Sequence, residues 1–479
     1  GSNLQIHGKF IINSGKFKPG GYTRTIKDTF DVSSGVFRPT SGTIVMQGGS
    51  PTIKLGSGNN FYNLTIGVTG TAIALDSFDI NGDFTLTSGT FNPDSFTHRV
   101  SGDWNTASGT FTPAKGRIIL DGGKSTINLG SGNAFNELAL AKTDSLKALA
   151  SIDVNGDFVI WSGIFYPGSY THYISGNWVD TGGTFVADAG KIVFDGNSQA
   201  IRCKPTNKFY TIEISPQDSV YALTDMTVEG DFIILQNKFV PRGNDITVKG
   251  NWNDTAGVFQ PVSGKVILTG NSNIYEGQNN YFNELVIQTQ GEVTTQTDVT
   301  INSKLRITSG ELNLGTELMH VVKDSTIIDS ILDMGTSVLR AEGPVYVDTE
   351  GLLYMSGACT LKVGDELYVD GKLYSGGLTP TITDTGNYFG LKVKGQIEIS
   401  ALHLDRLNSE GLYIDSTAEI IRLDNIDFTN IQTGGTFLQV LRDSDYVATY
   451  SGHSFDTVSY THLRAHETRH DLVCRLLLE

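Results

Sequence analysis

The chain has 479 residues; 55 are glycine, 39% are hydrophobic and 10% are aromatic, a balance that excludes a disordered chain and points to a large, turn-rich β protein. Fifty-one acidic against 35 basic residues give a net charge of −16, a poor footprint for nucleic acid or anionic lipid. No apolar run reaches the ~18 residues of a membrane-spanning helix, and 3 cysteines cannot staple a disulfide scaffold.

The chain opens at Gly1 without methionine or signal peptide, and its first motif, Ile6-His-Gly8-Lys-Phe10, stands in mid-repeat. The expectation is a natural N-terminus further upstream, so targeting is not legible. The motif returns at a constant step of seventy-four positions, as Ile80-Asn-Gly82-Asp-Phe84, Val154-Asn-Gly156-Asp-Phe158 and Val228-Glu-Gly230-Asp-Phe232. Phe61, Phe135, Phe209 and Phe282 keep the same beat in an N-x-F context. Within each repeat the motif echoes twenty residues on, as Val100-Ser-Gly102-Asp-Trp104, Ile174-Ser-Gly176-Asn-Trp178 and Val248-Lys-Gly250-Asn-Trp252. In the first repeat Asp28 stands where this echo has glycine.

Seven residues after each aromatic comes a second phenylalanine, as in Phe84/Phe91 and Trp104/Phe111, usually with proline two residues later. Seven of the 12 prolines occupy this slot, where a residue without an N–H ends a strand. Alternation puts Ile80, Gly82, Phe84 and Leu86 on one face and Asn81, Asp83 and Thr85 on the other. The glycine is expected inward, leaving room for a ring from a neighbouring layer.

Four strand groups per repeat give coils of about 18–20 residues. The predicted fold is all-β: a parallel β-solenoid, or β-helix, of about 24 coils, right-handed by the crossover rule. Tandem sandwiches would repeat near 100 residues, with no reason to reuse one motif at a twenty-residue offset. Residues 1–299 hold four repeats. Residues 300–457 read as a divergent continuation, with Leu305/Leu312 keeping the seven-residue spacing and Val369-Asp-Gly-Lys-Leu373 keeping the motif.

The strings Ser175-Gly-Asn-Trp178 and Ser108-Gly-Thr-Phe111-Thr-Pro113 resemble those of bacterial repeat-rich surface proteins of the parallel β-helix type. The resemblance covers most of 1–457 and implies an extracellular, adhesin-like or stalk-like role without a named ligand.

Candidate chemistry is sparse. Trp104, Trp178 and Trp252 share parity with Val100, Ile174 and Val248 and should pack inward, whereas Trp161 has the opposite parity to Phe158 and should be exposed. His98 and His172 are equivalent, with Arg24 and Ile246 in the same slot. At four coils per repeat they would lie about 19 Å apart, too far to share a metal ion, so they read as coil-edge residues. Asp405 and Asp424, in the echoing strings Leu402-His-Leu-Asp-Arg-Leu407 and Ile421-Arg-Leu-Asp-Asn-Ile426, are expected about one coil apart on one column. Such a pair could serve glycosidic chemistry or hold calcium. Cys203 and Cys359 read as buried free thiols, about eight coils apart and beyond disulfide reach.

From Val458 the composition changes: residues 458–479 carry no glycine and three arginines. Val458 to Glu467 and Leu472 to Leu478 resemble translated sequencing-library adapter, separated by an index of fitting length. On this reading the apparent zinc motif His466-Glu467-Thr468-Arg469-His470, with His462 before it, is an artefact, and the gene continues beyond it. The functional expectation is a non-catalytic structural or adhesive segment of a larger secreted or cell-surface protein. It needs no cofactor, inserts in no membrane, and has surface polysaccharide or other cell-surface components as its partners. A polysaccharide-active β-helix enzyme and a carbohydrate-binding module are the alternatives.

Overall fold

A computed structural model describes residues 2–441 and the backbone of Tyr450–Ser451, Ser454–Phe455 and Arg464–Ala465. The histidines of the tail motif lie outside the described residues. The fold is all-β, with no helix among the described residues: a parallel β-solenoid whose turns total about 21, fewer than the two dozen expected because successive coils stand about 20 residues apart. The chain forms two compact units, Gly1–Ile246 with Ala256–Gln260, and Thr247–Thr255 with Pro261–Glu479. The division falls inside the fourth repeat.

In the first unit the coils stack along three sides. Leu4–Ile6 pairs with Thr23–Ile26, which pairs with Thr43–Met46, and this side continues through Leu64, Phe84 and Trp104. Phe10 begins a second side through Phe30, Ile53 and Ala74. Phe158 belongs to the third, above His98, Ile118 and Leu138. The side of Phe10 is regained only by the strand of Phe232, eleven turns and three repeats later. One repeat therefore makes three and two-thirds turns, not four. Equivalent residues of successive repeats face different sides of the coil, a rotation that a linear sequence comparison does not reveal.

The seven-residue aromatic pairs meet across the interior: Phe84 and Phe91 have ring centroids 5.2 Å apart, and Phe158 and Phe165 5.4 Å apart. The twenty-residue echo stacks rings between coils, with Phe84 on Trp104 at 4.4 Å and Phe158 on Trp178 at 4.8 Å. Such contacts add about 0.5–1.5 kcal/mol each beyond the apolar area they bury. Trp104, Trp178 and Trp252 are fully buried, as their parity requires, and so is Phe232.

The motif glycines serve a different purpose from the one expected. Gly102 N–H donates to the Gly82 carbonyl at 2.9 Å, and Gly176 to Gly156 at 3.0 Å. A Cβ at Gly102 would lie 2.6 Å from the Gly82 carbonyl carbon, and one at Gly176 would overlap the Gly156 carbonyl more closely still. Backbone passing backbone at a coil corner, not an incoming ring, excludes a side chain there. Gly230 meets the Tyr210 carbonyl in the same way, while Gly8, in the first coil, has open space around it. Gly250 occupies the corresponding corner bend before Trp252. Asp28 fits its glycine slot by capping its own turn, its Oδ1 accepting the Thr29 N–H at 2.7 Å.

In the described part of the second unit, leucine, isoleucine and valine replace most rings. Ile328, Val347, Val369, Val393 and Ile414 succeed one another on one side, all buried. Coil length also varies: Leu402–Asp405 pairs with Ile426–Thr429, so this coil is several residues longer than its neighbours in the repeats.

Candidate functional site

The polar side chains inside the coil hold backbone. His98 and His172 are buried, 2% exposed each, and are not coil-edge residues. Nδ1 of His98 accepts the Phe78 N–H at 3.1 Å while Nε2 reaches the Pro93 carbonyl at 3.0 Å. His172 repeats this with Ile152 and Pro167, at 3.0 Å each. His320, two repeat lengths beyond His172 and missed in the sequence reading, does the same with Val299 and Leu314. In the first repeat Arg24 reaches the equivalent carbonyl, Pro19, at 2.6 Å. In the fourth, where Ile246 fills the slot, the Asn244 amide caps Pro241 at 2.9 Å. Burial pushes the imidazoles of His98 and His172 down to about 4 and holds His320 below the usual range. These are neutral structural rings at neutral pH.

The N-x-F asparagines form a second station. Asn59 Nδ2 donates to the carbonyls of Val32 and Gly35, and its Oδ1 accepts the Phe37 N–H. Asn133 does the same with Thr106, Gly109 and Phe111. Beside this station runs a column whose acidic members sequence reading overlooked. Val32 and Thr106 of the first two repeats become Asp180 and Asp254, and Leu55 and Leu129 become Cys203 and Glu276. Aligning the repeats one beneath another exposes this change of character.

Asp254 and Glu276 are 0% and 5% exposed and lie on adjacent rungs, since Asn253 pairs with Tyr275 and Asp254 N–H donates to the Tyr275 carbonyl. Burial raises Asp254 to about 6, against hydrogen bonds from Gly277, Trp252 and Asn280. Burial and then the neighbouring charge of Asp254 raise Glu276 to about 10. The pair thus holds a proton at neutral pH. Cys203, beside Asp180, is pushed up to about 12 by burial, and Cys359 to about 11. Both are buried free thiols. Lys142 is buried too, its Nζ donating to the carbonyls of Ser101 and Asp121.

Asp405 and Asp424 do not form a stacked pair. The longer coil sets Thr429, not Asp424, opposite Asp405, while Asp424 ends Glu419–Asp424 in a different sheet. Burial pushes the Asp405 carboxyl up, but hydrogen bonds from Asn430, Thr429 and Thr383 outweigh it and hold the group below its ordinary value. Arg422 Nε lies 2.6 Å from Asp424, and Arg406 Nε lies 3.1 Å from Asp384. No basic residue joins the two carboxylates among the described residues.

What surrounds Asp405 is the most convergent outward cluster. Asp427 Oδ2 lies 2.9 Å from His403 Nδ1, and His403 Nε2 lies 3.3 Å from Thr429 Oγ1. The order acid, imidazole, hydroxyl is that of a nucleophilic triad. However, Thr429 donates its proton to Asp405 at 2.8 Å, so the hydroxyl is committed to a carboxylate rather than to the imidazole that would activate it. The cluster ties together the outer faces of Thr381–Asp384, Leu402–Asp405 and Ile426–Thr429.

Trp161 is exposed at 40%. Tyr346 and Tyr368 form an outward ladder, but their rings are parallel within 4° at 5.4 Å, so each occupies a face of the other that a sugar would need. No group of three or more histidine, cysteine or acidic side chains able to hold a metal ion occurs among the described residues. No protein-family model matches the sequence, and no curated protein and no solved structure matches it.

Proposed function

We propose that this chain is a non-catalytic structural or adhesive segment, a stalk or scaffold of a larger secreted or cell-surface protein of bacterial type. One observation carries the reading. At a single station the repeats use arginine, histidine or asparagine interchangeably to reach the same carbonyl. Selection on that station is for closing a corner of the coil, whereas catalysis requires different groups converging on one point. The acidic exterior suits solubility and repulsion from anionic surfaces. Surface polysaccharide or other cell-surface components are the proposed partners, without nucleic acid or cofactor.

A polysaccharide-active enzyme is the second reading, favoured by the Asp427–His403–Thr429–Asp405 cluster. A carbohydrate-binding module, the third, rests on exposed aromatics such as Trp161. Incubating the full chain with anionic and neutral polysaccharides separates them. The scaffold reading expects no release of reducing or unsaturated ends. Turnover abolished by His403→Ala or Asp424→Asn would overturn it in favour of an enzyme. Saturable binding lost in Trp161→Ala, without turnover, would establish a binding module.

A further inference from the structure

Inside the coil, each buried histidine joins three pieces of backbone. His98 stands on Thr97–Val100, accepts a hydrogen bond at Nδ1 from the Phe78 N–H of the preceding coil and reaches the Pro93 carbonyl at the corner that leads into its own strand. The ring packs against Phe78 at 4.6 Å and Phe91 at 6.1 Å. His172 holds Ile152 and Pro167 in the same manner, against Phe165 at 6.0 Å. An imidazole that accepts at Nδ1 and meets a carbonyl at Nε2 must be neutral with its proton on Nε2. Protonation turns Nδ1 into a donor facing another donor and puts a charge where water does not reach.

We propose that His98 and His172 are acid-sensitive clasps, which lock neighbouring coils at neutral pH and release them when protonated.

Few charges oppose this. Asp76 is the carboxylate whose field reaches His98 and favours its charged form. At His172 the neighbouring titratable group is the Tyr170 phenol, ring to ring at 6.5 Å. On the paired strands, Asp79, Arg99 and Arg117 around His98, and Asp153, Tyr173 and Lys191 around His172, flank the inward residues at alternate positions on the outer face. Burial therefore outweighs attraction at both sites and lowers the imidazoles to about 4. The sign follows. Below about 6.5 an opened clasp binds a proton that the closed one refuses until about 4, so closure is complete above 6.5 and weakens as the pH falls toward 4.

The molecule carries its own control. At the equivalent place in the fourth repeat, Met226 N–H donates to the Asp245 carbonyl and the Asn244 amide caps Pro241, with Ile246 where the histidine would stand. Hydrogen exchange of the full chain, corrected for intrinsic rates, should show opening at Phe78 and Ile152 rising about 60-fold between pH 7 and 4.5. Met226 should change little. His98→Ile with His172→Ile, which copies Ile246, should remove the excess response. A response at Phe78 and Ile152 no larger than at Met226 would overturn the proposal, and that comparison needs no variant to fold. Retention of the full acid response in the double variant would overturn it equally.

Discussion

Glu276→Leu offers the sharpest test of how the interior column behaves. The substitution installs the residue that stands at Leu55 and Leu129 in the first two repeats. The carboxyl has a folded value of about 10 against an ordinary 4.5. Between those values the native state keeps a proton that the unfolded chain has released, so stability falls as pH rises, by about 1.4 kcal/mol per pH unit for one group. Relative to a group unaffected by folding, the penalty is about 3 kcal/mol at pH 7 and about 6 kcal/mol at pH 9. Leucine removes that penalty and adds apolar burial, but leaves without its acceptor the Thr300 N–H, which now lies 3.1 and 3.2 Å from the two carboxyl oxygens. An orphaned buried donor costs about 1–3 kcal/mol. Removing the penalty outweighs that cost at pH 9, where the balance is stabilising by about 3 kcal/mol or more. It is near neutral at pH 5, only half a unit above the ordinary value, where the penalty is about 1 kcal/mol and the orphaned donor offsets it. Urea unfolding followed by tryptophan fluorescence at pH 5, 7 and 9 measures it, read as midpoint shifts between variant and wild type. A shift that is the same at pH 5 and pH 9, or destabilisation at pH 9, would refute the buried-proton argument.

Gly176→Ala should destabilise the first unit by about 2–4 kcal/mol, because its Cβ would overlap the Gly156 carbonyl, which is backbone and cannot swing aside. Gly49→Ala, with nothing within 4 Å, should leave the urea midpoint almost unchanged. Cys203 and Cys359, buried and raised to about 12 and 11, should resist a thiol reagent at pH 8 and react only on denaturation; fast reaction of the native chain at either, shown by peptide mapping, would contradict the burial. Lys142→Met should lower stability by about 1–3 kcal/mol, through loss of the Nζ caps on Ser101 and Asp121, and an unchanged denaturation midpoint would show those carbonyls to be satisfied otherwise.

The sequence by itself determined the coil. Alternation at Ile80, Phe84 and Leu86, the seven-residue aromatic spacing and the proline slot each follow from the pleat and from what a strand end tolerates, so they are readable one residue at a time. It also determined which way Trp104 and Trp161 point, and that Cys359 is buried, because parity along a strand is local information. What parity cannot supply is the number of turns between two distant residues. Corners absorb whole residues, so one repeat became three and two-thirds turns instead of four, and the long coil that begins at Leu402–Asp405 separated Asp405 from Asp424. Nor could local pattern tell that a histidine at an alternating inward position would find a backbone N–H and a carbonyl at hydrogen-bond distance, or that Asp254 and Glu276 would share one dry column. The N–H and the second carboxyl are contributed by other coils, about 20 residues away in sequence and one strand spacing away in space, and the carbonyl by a corner of the histidine's own coil. Only the stacking of coils decides whether a buried polar group is an orphan, a site or a clasp.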